Sequence, residues 1–360
     1  MRHPTVGIVL ALLLGGCAQT EPPSPAGPSH GRVGFIPEPG PDGAATPEQA
    51  AAHLAGLTAA LIDPPRDSAY PARNRQLVIR SGPVRPELGR PAEMNAVFFA
   101  AAGAGPKPTM LLLHGLPGNE RNLDLAQAVR RAGWNVLTFT YRGAWGSEGM
   151  FSIQHAVEDS HSAMAWLRSG AAVRDFGVDP ARIVVAGHSM GGFMAARVAA
   201  RDHIRREAAG EAVDGPPIAG VILIDAWDIA AEARRAGAAG EAGRASLTAV
   251  FDDVGHSLGP ITAADIADNI LRRGAEWDLT ALAPALARTR VLTVYATHGD
   301  AEANRGVAEA IGRACPVRAG ARPGCNGMLT AVEMDTDHAF ADHRVALARE
   351  VVGWLWGQGS

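Results

Sequence analysis

Lysine is nearly absent from this sequence: Lys107 is the only one in 360 residues, so arginine carries almost all the cationic charge. Nor is there a basic excess. Lysine and arginine together number 33 against 37 aspartates and glutamates, a formal net charge of −4, which argues against a chain that grips nucleic acid through a cationic face. Three cysteines are too few for a disulfide scaffold. The apolar run at the start, Val6 to Leu14, falls well short of the roughly 20 residues a spanning helix needs. What is present is an ordinary globular inventory, 47% hydrophobic and 19% charged. It excludes a disordered chain, a collagen-like repeat and a multi-span membrane protein. The length suffices for one large α/β domain or two modest ones.

Arg2 and His3 precede the apolar run, and small residues close it in Leu14-Gly15-Gly16-Cys17. A cationic start and a short apolar stretch ending in small residues predict a secretory signal. The ending resembles the lipobox of bacterial lipoproteins. That implies a lipidated Cys17 at the head of the mature chain, held to a membrane by acyl chains, and Ala18 after it is compatible with an outer membrane. An ordinary signal peptide with an incidental Cys17 is the plainer alternative. Residues 1–17 are therefore read as signal and lipobox. Residues 18–45 are rich in proline and poor in large apolar side chains; they read as a tether that buries too little to fold. Cys315 and Cys325 remain, and in an exported chain they are expected to pair. Closing that short loop contributes about 2–3 kcal/mol on the chain-entropy model. Zinc is the weaker reading, since nothing nearby completes four ligands.

Residues 46–360 read as one folded α/β domain. Thr46-Pro47-Glu48-Gln49 predicts a helix start, with the helix running to about Ile62. Short apolar strands then alternate with helical patterns: Gln76–Arg80, Asn95–Phe99, Thr109–Leu113, Val136–Thr140, Ile183–Ala186, Gly220–Ile224, Val291–Tyr295 and Met328–Glu333. Two of these, around Leu112 and Val184, are apolar on both faces, as parallel strands buried between helices are. Helical stripes run through Leu123, Ala126 and Val129, through Ile153, Val157, Met164 and Leu167 up to Gly170, and from about Ala341 to Trp354. The alternation predicts a mostly parallel sheet covered on both faces. Residues 226–289 have helical composition and no strong strand. That is too long for a plain crossover, so a helical cap is expected after the sixth strand.

The strongest local signal is Gly187-His188-Ser189-Met190-Gly191, between a buried strand and a helical pattern. In that context G-x-S-x-G is a nucleophile elbow. The serine sits in a strained turn that projects its oxygen, and Gly187 and Gly191 omit side chains where strand and helix cross closely. A glycine-rich turn with a passive serine is the plain alternative. His114-Gly115-Leu116-Pro117-Gly118 follows the third strand. Such a turn, opened by Gly115, can aim a main-chain N–H at a developing oxyanion, so the N–H groups of Leu116 and Met190 are the candidate oxyanion hole. His114 reads as structural, a ring packed under the loop. Asp300 follows the seventh strand and His338 the eighth. Both lie at carboxyl ends of strands, where an open α/β sheet keeps its site.

Together these residues resemble the α/β-hydrolase superfamily, in particular its bacterial serine aminopeptidase and dienelactone-hydrolase-like branches, over Leu111–Trp356. The resemblance rests on the turn at 114–118, Tyr141-Arg142-Gly143 with Gly146-Ser147, the elbow, Asp337-His338-Ala339-Phe340, and the chain order Ser189, Asp300, His338. It implies an eight-stranded, mostly parallel sheet. It also implies hydrolysis of esters, amides or related acyl compounds, with Ser189 as nucleophile, His338 as base and Asp300 as acid. In that family the acid usually follows a glycine three residues earlier, where this chain has Thr297. Asp225, at the end of the sixth strand, and Glu302 are the alternative acids.

No cofactor and no metal are expected. The stretch from Gly143 to Gly149 lacks the G-x-G-x-x-G spacing, and Asp337, His338, Asp342 and His343 fit no H-E-x-x-H pattern. His155 and His161 are expected on the solvated face of their helix, and Trp145, Trp227 and Trp277 in a core or a pocket wall. The reading is an exported, lipid-anchored serine hydrolase that cleaves the ester of a small or medium acyl substrate, with the membrane met through Cys17 and no nucleic-acid partner. A serine peptidase on short peptides and a catalytically inactive ligand-binding lipoprotein are the alternatives. Oligomeric state is left open.

Overall fold

The computed structural model describes Leu54, Thr58 and residues 61–209, 215–252, 256–315 and 328–357. The signal, the lipobox with Cys17, the tether, Cys325 and most of the helix expected from Thr46 lie outside the described residues. The strands are β1 (Arg73–Arg85), β2 (Arg90–Ala100), β3 (Lys107–Leu113), β4 (Asn135–Phe139), β5 (Val178–His188), β6 (Gly220–Ile224), β7 (Val291–His298) and β8 (Leu329–Asp337). They form one sheet in the order β1-β2-β4-β3-β5-β6-β7-β8. β1 and β2 are antiparallel additions at one edge, and every pairing from β4 through β8 is parallel. All eight expected strands are present. Several run longer than their apolar segments, because those segments mark only the buried middle while ladder pairing continues through polar ends.

The helices are α1 (Leu123–Arg131), α2 (Ile153–Leu167), α3 (Gly170–Phe176), α4 (Met190–Ala209), α5 (Ile229–Ala238), α6 (Gly240–Val250), α7 (Ala263–Arg273), α8 (Ala283–Leu286), α9 (Ala301–Ala314) and α10 (Arg344–Trp356). α1 and α10 cover one face: Leu125, Val129, Leu347 and Val351 pack on Met110, Leu112, Val184 and Ile222. α2, α4 and α9 cover the other, with Met164, Phe193 and Ile311 in one cluster with Leu111, Leu113 and Val185. Alternate residues of β3 thus serve opposite cores, as the period of a strand requires. Gly170 does not close α2 as expected. Ser169 accepts the N–H of Ala172 at 3.2 Å and starts α3 instead, a hydroxyl at the cap position outweighing the glycine after it.

The segment between β6 and β7 is helical, holding α5 to α8 with 3-10 turns at Gly274–Trp277 and Thr280–Leu282. Its apolar side, with Ile229, Leu247, Ile266 and Trp277, joins the core under α2 and α4. Its tip docks on the loop after β4. There Gly259 N–H donates to Gly143 O at 2.7 Å and Trp145 N–H to Ser257 O at 2.9 Å. Gly143, at φ +69°, has no room for a side chain: a Cβ would lie 2.3 Å from Phe151 N and 2.4 Å from Gly259 O. β3 is followed by β4 on one side and flanked by β5 on the other. This reversal opens a crevice at their carboxyl ends.

Candidate active site

Ser189 stands in that crevice between β5 and α4, at φ +56°. A non-glycine residue there is strained and needs its surroundings to hold it. Four main-chain bonds do so: Ser189 N–H to Ile224 O at 2.9 Å, and Gly192, Phe193 and Trp227 N–H to Ser189 O at 2.9, 3.2 and 3.0 Å. The glycines are required by contact. A Cβ on Gly187 would lie 2.0 Å from Gly191 O, and one on Gly191 2.0 Å from Leu113 O. The N–H of Met190 opens α4 and has no helical carbonyl to receive it. Gly115 faces the serine from the end of β3, where a Cβ would come within 3.0 Å of Ser189 Cβ and 3.5 Å of its Oγ. Leu116 is therefore in the turn that abuts the hydroxyl. His114 is buried beneath it, its Nδ1 2.7 Å from Gly115 O and its ring 4.6 Å from that of Tyr141. Burial pushes its pKa down to about 4, so the ring is neutral near pH 7.

His338 comes from the turn after β8. Phe340, buried and at φ +56°, returns its N–H to Asp337 O at 2.9 Å, and the Asp337 carboxylate accepts Ala341 N–H at 2.9 Å. His188 braces the same turn: its Nε2–H donates to His338 O at 2.7 Å and its ring lies 4.7 Å from the His338 ring. Burial, and then the charge of His338, push His188 down to about 4. It is a neutral support that sequence reasoning did not single out.

The acid beside His338 differs from the one expected. His338 Nδ1 lies 2.5 Å from Asp225 Oδ2, and Asp225 had been the alternative. Asp225 sits at φ +38° immediately after β6, is fully buried, and gives its N–H to Val294 O at 2.7 Å. Asp300 instead stands at the start of α9, its Oδ1 3.6 Å from Arg235 Nη2 of α5. The second alternative, Glu302, is exposed in the first turn of α9. Gly299 explains the exchange physically: a Cβ there would lie 2.2 Å from Asp225 Oδ2, so the turn after β7 yields its space to the carboxylate of β6. Burial alone would lower the His338 pKa. The hydrogen bond and charge of Asp225, with Asp300 and Asp337, outweigh it and raise the value above the ordinary 6.5. An imidazole so held, with Nδ1 committed to a carboxylate, can take up and return a proton at Nε2.

A family model for the alpha/beta hydrolase fold matches residues 119–308, more than half of the chain. The chain belongs to the alpha/beta hydrolase family. Carboxylic ester hydrolase LipN of Mycobacterium tuberculosis is 31% identical over 157 residues, 41% of this chain and 39% of that protein. The uncharacterized protein Rv2307c of the same organism is 36% identical over 103 residues, 28% of this chain and 35% of its own length. The match thus spans little more than a third of each of these curated relatives. Among solved structures, EstE1, a carboxylesterase cloned from a metagenomic library, aligns with TM-score 0.50 at 19% identity over 87% of this chain and 95% of its own. Dipeptidyl peptidase 4 of Porphyromonas gingivalis aligns with TM-score 0.50 at 15% identity over 80% of this chain and 35% of its own. At these identities the likeness is one of fold, and an esterase and a peptidase share it.

Other polar groups of this α/β-hydrolase fall away from the serine or serve its frame. His161 is not on the solvated face of α2. It is partly buried, and burial followed by the charges of Arg201, Arg197 and Arg205 on α4 pushes it down to about 4. His155 is pinned near the same helix start, Nδ1 2.9 Å from Met150 O. His298 and Asp335 form an exposed pair at 3.1 Å. The Trp145 indole N–H donates to Pro117 O at 2.8 Å, the Trp227 ring lies tilted 6.0 Å from that of Phe251, and Trp277 is buried in the insert's core. Asp342 accepts from Thr336 and lies 3.0 Å from His343 Nδ1. Cys315 is buried at the end of α9; its expected partner is outside the described residues.

Proposed function

We propose that this chain is a serine hydrolase that cleaves a carboxylic ester through an acyl-enzyme, with Ser189 as nucleophile, His338 as general base and acid, and Asp225 as the orienting carboxylate. The observation that carries the reading is the 2.5 Å approach of His338 Nδ1 to the buried Asp225 carboxylate, beside a serine strained at φ +56° on the elbow. Nδ1–H donates to Asp225 and leaves Nε2 as the proton acceptor. As Ser189 Oγ bonds to the acyl carbon, its proton passes to Nε2 and the carbonyl oxygen becomes an oxyanion met by the N–H groups of Leu116 and Met190. Collapse breaks the carbon–alkoxy bond, and Nε2 returns the proton to the departing alcohol. Water repeats the sequence, giving its proton to Nε2, and the carboxylic acid leaves as Ser189 is reprotonated. Asp225 stabilises the imidazolium and takes no proton.

An ester rather than an amide is favoured by the carboxylic ester hydrolase among the sequence relatives. The Leu14–Cys17 segment supports a lipid-anchored location in the cell envelope, checked by palmitate incorporation into the full chain and its loss in Cys17→Ser. The deciding experiment labels the protein with a fluorescent fluorophosphonate beside Ser189→Ala. Labelling of the wild type alone, with turnover of short acyl esters, supports the reading. Turnover of aminoacyl amides in place of esters transfers it to a peptidase. A folded sample that neither labels nor turns over favours a ligand-binding lipoprotein. Ser189→Ala is expected to lose on the order of 10⁴-fold or more in turnover.

A further inference from the structure

A buried amide on α9 has no part in the mechanism so far. Asn304 is 2% exposed, and its four hydrogen bonds converge on one dipeptide and the turn beside it. Oδ1 accepts Ala226 N–H at 2.9 Å, while the two Nδ2 hydrogens are shared among Ala226 O at 3.2 Å, Asp300 O at 3.1 Å and Asp225 Oδ1 at 3.3 Å. Asp225 Oδ1 receives a second N–H from Ala296 of β7 at 3.2 Å, and Oδ2 faces His338. Gly299 supplies the clearance on the Oδ2 side, 2.2 Å being left to a Cβ. Thus the β7–α9 segment, whose own carboxylate Asp300 is turned to Arg235, wraps the acid that β6 provides.

We propose that Asn304 is a positioning residue for the acid: it clamps the backbone of Ala226 beside the left-handed Asp225 and fixes the carboxylate so that Oδ2 alone is offered to His338. This rests on the triad reading above. A buried carboxylate gains from each N–H that meets it and rotates or rises in proton affinity when one is removed. Without the Asn304 donor the Asp225–His338 pair holds its proton more tightly, so neutral imidazole is lost at a higher pH. The other charged or titratable groups around the pair are Asp337 on β8, His188 on β5, Asp300 before α9, Glu232 and Arg235 on α5, and Arg344 on α10. All are kept in the variants.

The test compares wild type, Asn304→Leu, Asn304→Ser, Gly299→Ala and Asp225→Asn with a short acyl ester, active sites being counted by fluorophosphonate titration. Asn304→Leu and Asn304→Ser remove the Nδ2 donor to Asp225 without placing a charge beside it. We expect kcat per active site to fall about 10- to 100-fold with KM little changed, and the acid limb of kcat/KM to move to higher pH. Gly299 has no positive φ, so Gly299→Ala strains only the carboxylate and is expected to act in the same direction. Asn304→Ser keeps the proposal open to test if Asn304→Leu does not fold. Wild-type kcat per site and an unmoved acid limb in the Asn304 variants, with Asp225→Asn inactive, would overturn the role of Asn304 and leave the triad reading intact. An active Asp225→Asn would overturn the triad reading itself.

Discussion

Among the described residues two aspartates are fully buried, Asp159 on α2 and Asp225 after β6, and they are answered differently. Asp159 meets a cation that does not titrate: Arg142 Nε lies 2.5 Å from Oδ1, and Arg142 N–H reaches Oδ2 at 2.8 Å. The same guanidinium holds Glu158 at 2.7 Å and His155 O at 3.2 Å. Burial pushes the Asp159 carboxyl up, against the pull of Arg142. Asp225 meets an imidazole on one oxygen and two neutral N–H groups on the other. The first arrangement ties the loop after β4 to α2. The second holds a group whose charge can change during a reaction. Burial demands a partner in both cases, and the choice of partner separates a fastening from a site.

The largest effect expected follows from the second pair. Asp225→Asn keeps an acceptor for Ala296 N–H and Asn304 Nδ2 but offers His338 an NH₂ group, so the ring must carry its proton on Nε2 and is lost as a base. A fall of about 10⁴-fold in kcat/KM is expected, with a urea midpoint near that of the wild type. Arg142→Met should do the reverse. It leaves Asp159 charged and unpaired, costing about 3–5 kcal/mol in urea unfolding, while turnover per titrated active site stays close to wild type. Replacing both members, Arg142→Met with Asp159→Leu, should recover much of that loss. A double variant no more stable than the single one would refute the account of this pair as a mutual dependence.

Much of this was legible in the sequence. Strands and elbow are local patterns: apolar runs, glycines at fixed offsets, and a histidine following the last strand. The acid was not, because its choice depends on contacts between segments 113 positions apart in the case of Asp225 and His338. Nothing near Asp225 or Asp300 in the sequence reveals that Gly299 gives its space to the former. Asn304 did leave a trace, as a polar residue in the apolar stripe it shares with Val307, Ala308 and Ile311 on α9. His161 was misjudged for a similar reason, since its surroundings come from the arginines of α4.

The smallest effects separate contact from distance at the same site. Since the pKa of His338 is raised above 6.5 and the neutral ring is the base, kcat/KM should fall as pH drops through a midpoint above about 6.5. Asp225 acts on that midpoint through a hydrogen bond in a buried setting, Asp300 through charge across partly solvated space. Removing the Asp300 charge withdraws one contribution that favours the imidazolium, so Asp300→Asn should shift the acid limb downward, by less than the loss of a contacting group would. Counterions weaken an interaction over solvent far more than one in contact, so the shift should shrink between 0.02 and 0.5 M salt, across which the Debye length falls from about 20 to 4 Å. A limb that moves equally at both salt concentrations would mean that Asp300 touches the site through structure rather than charge. A limb that moves upward would mean that the sign of its influence on His338 is wrong.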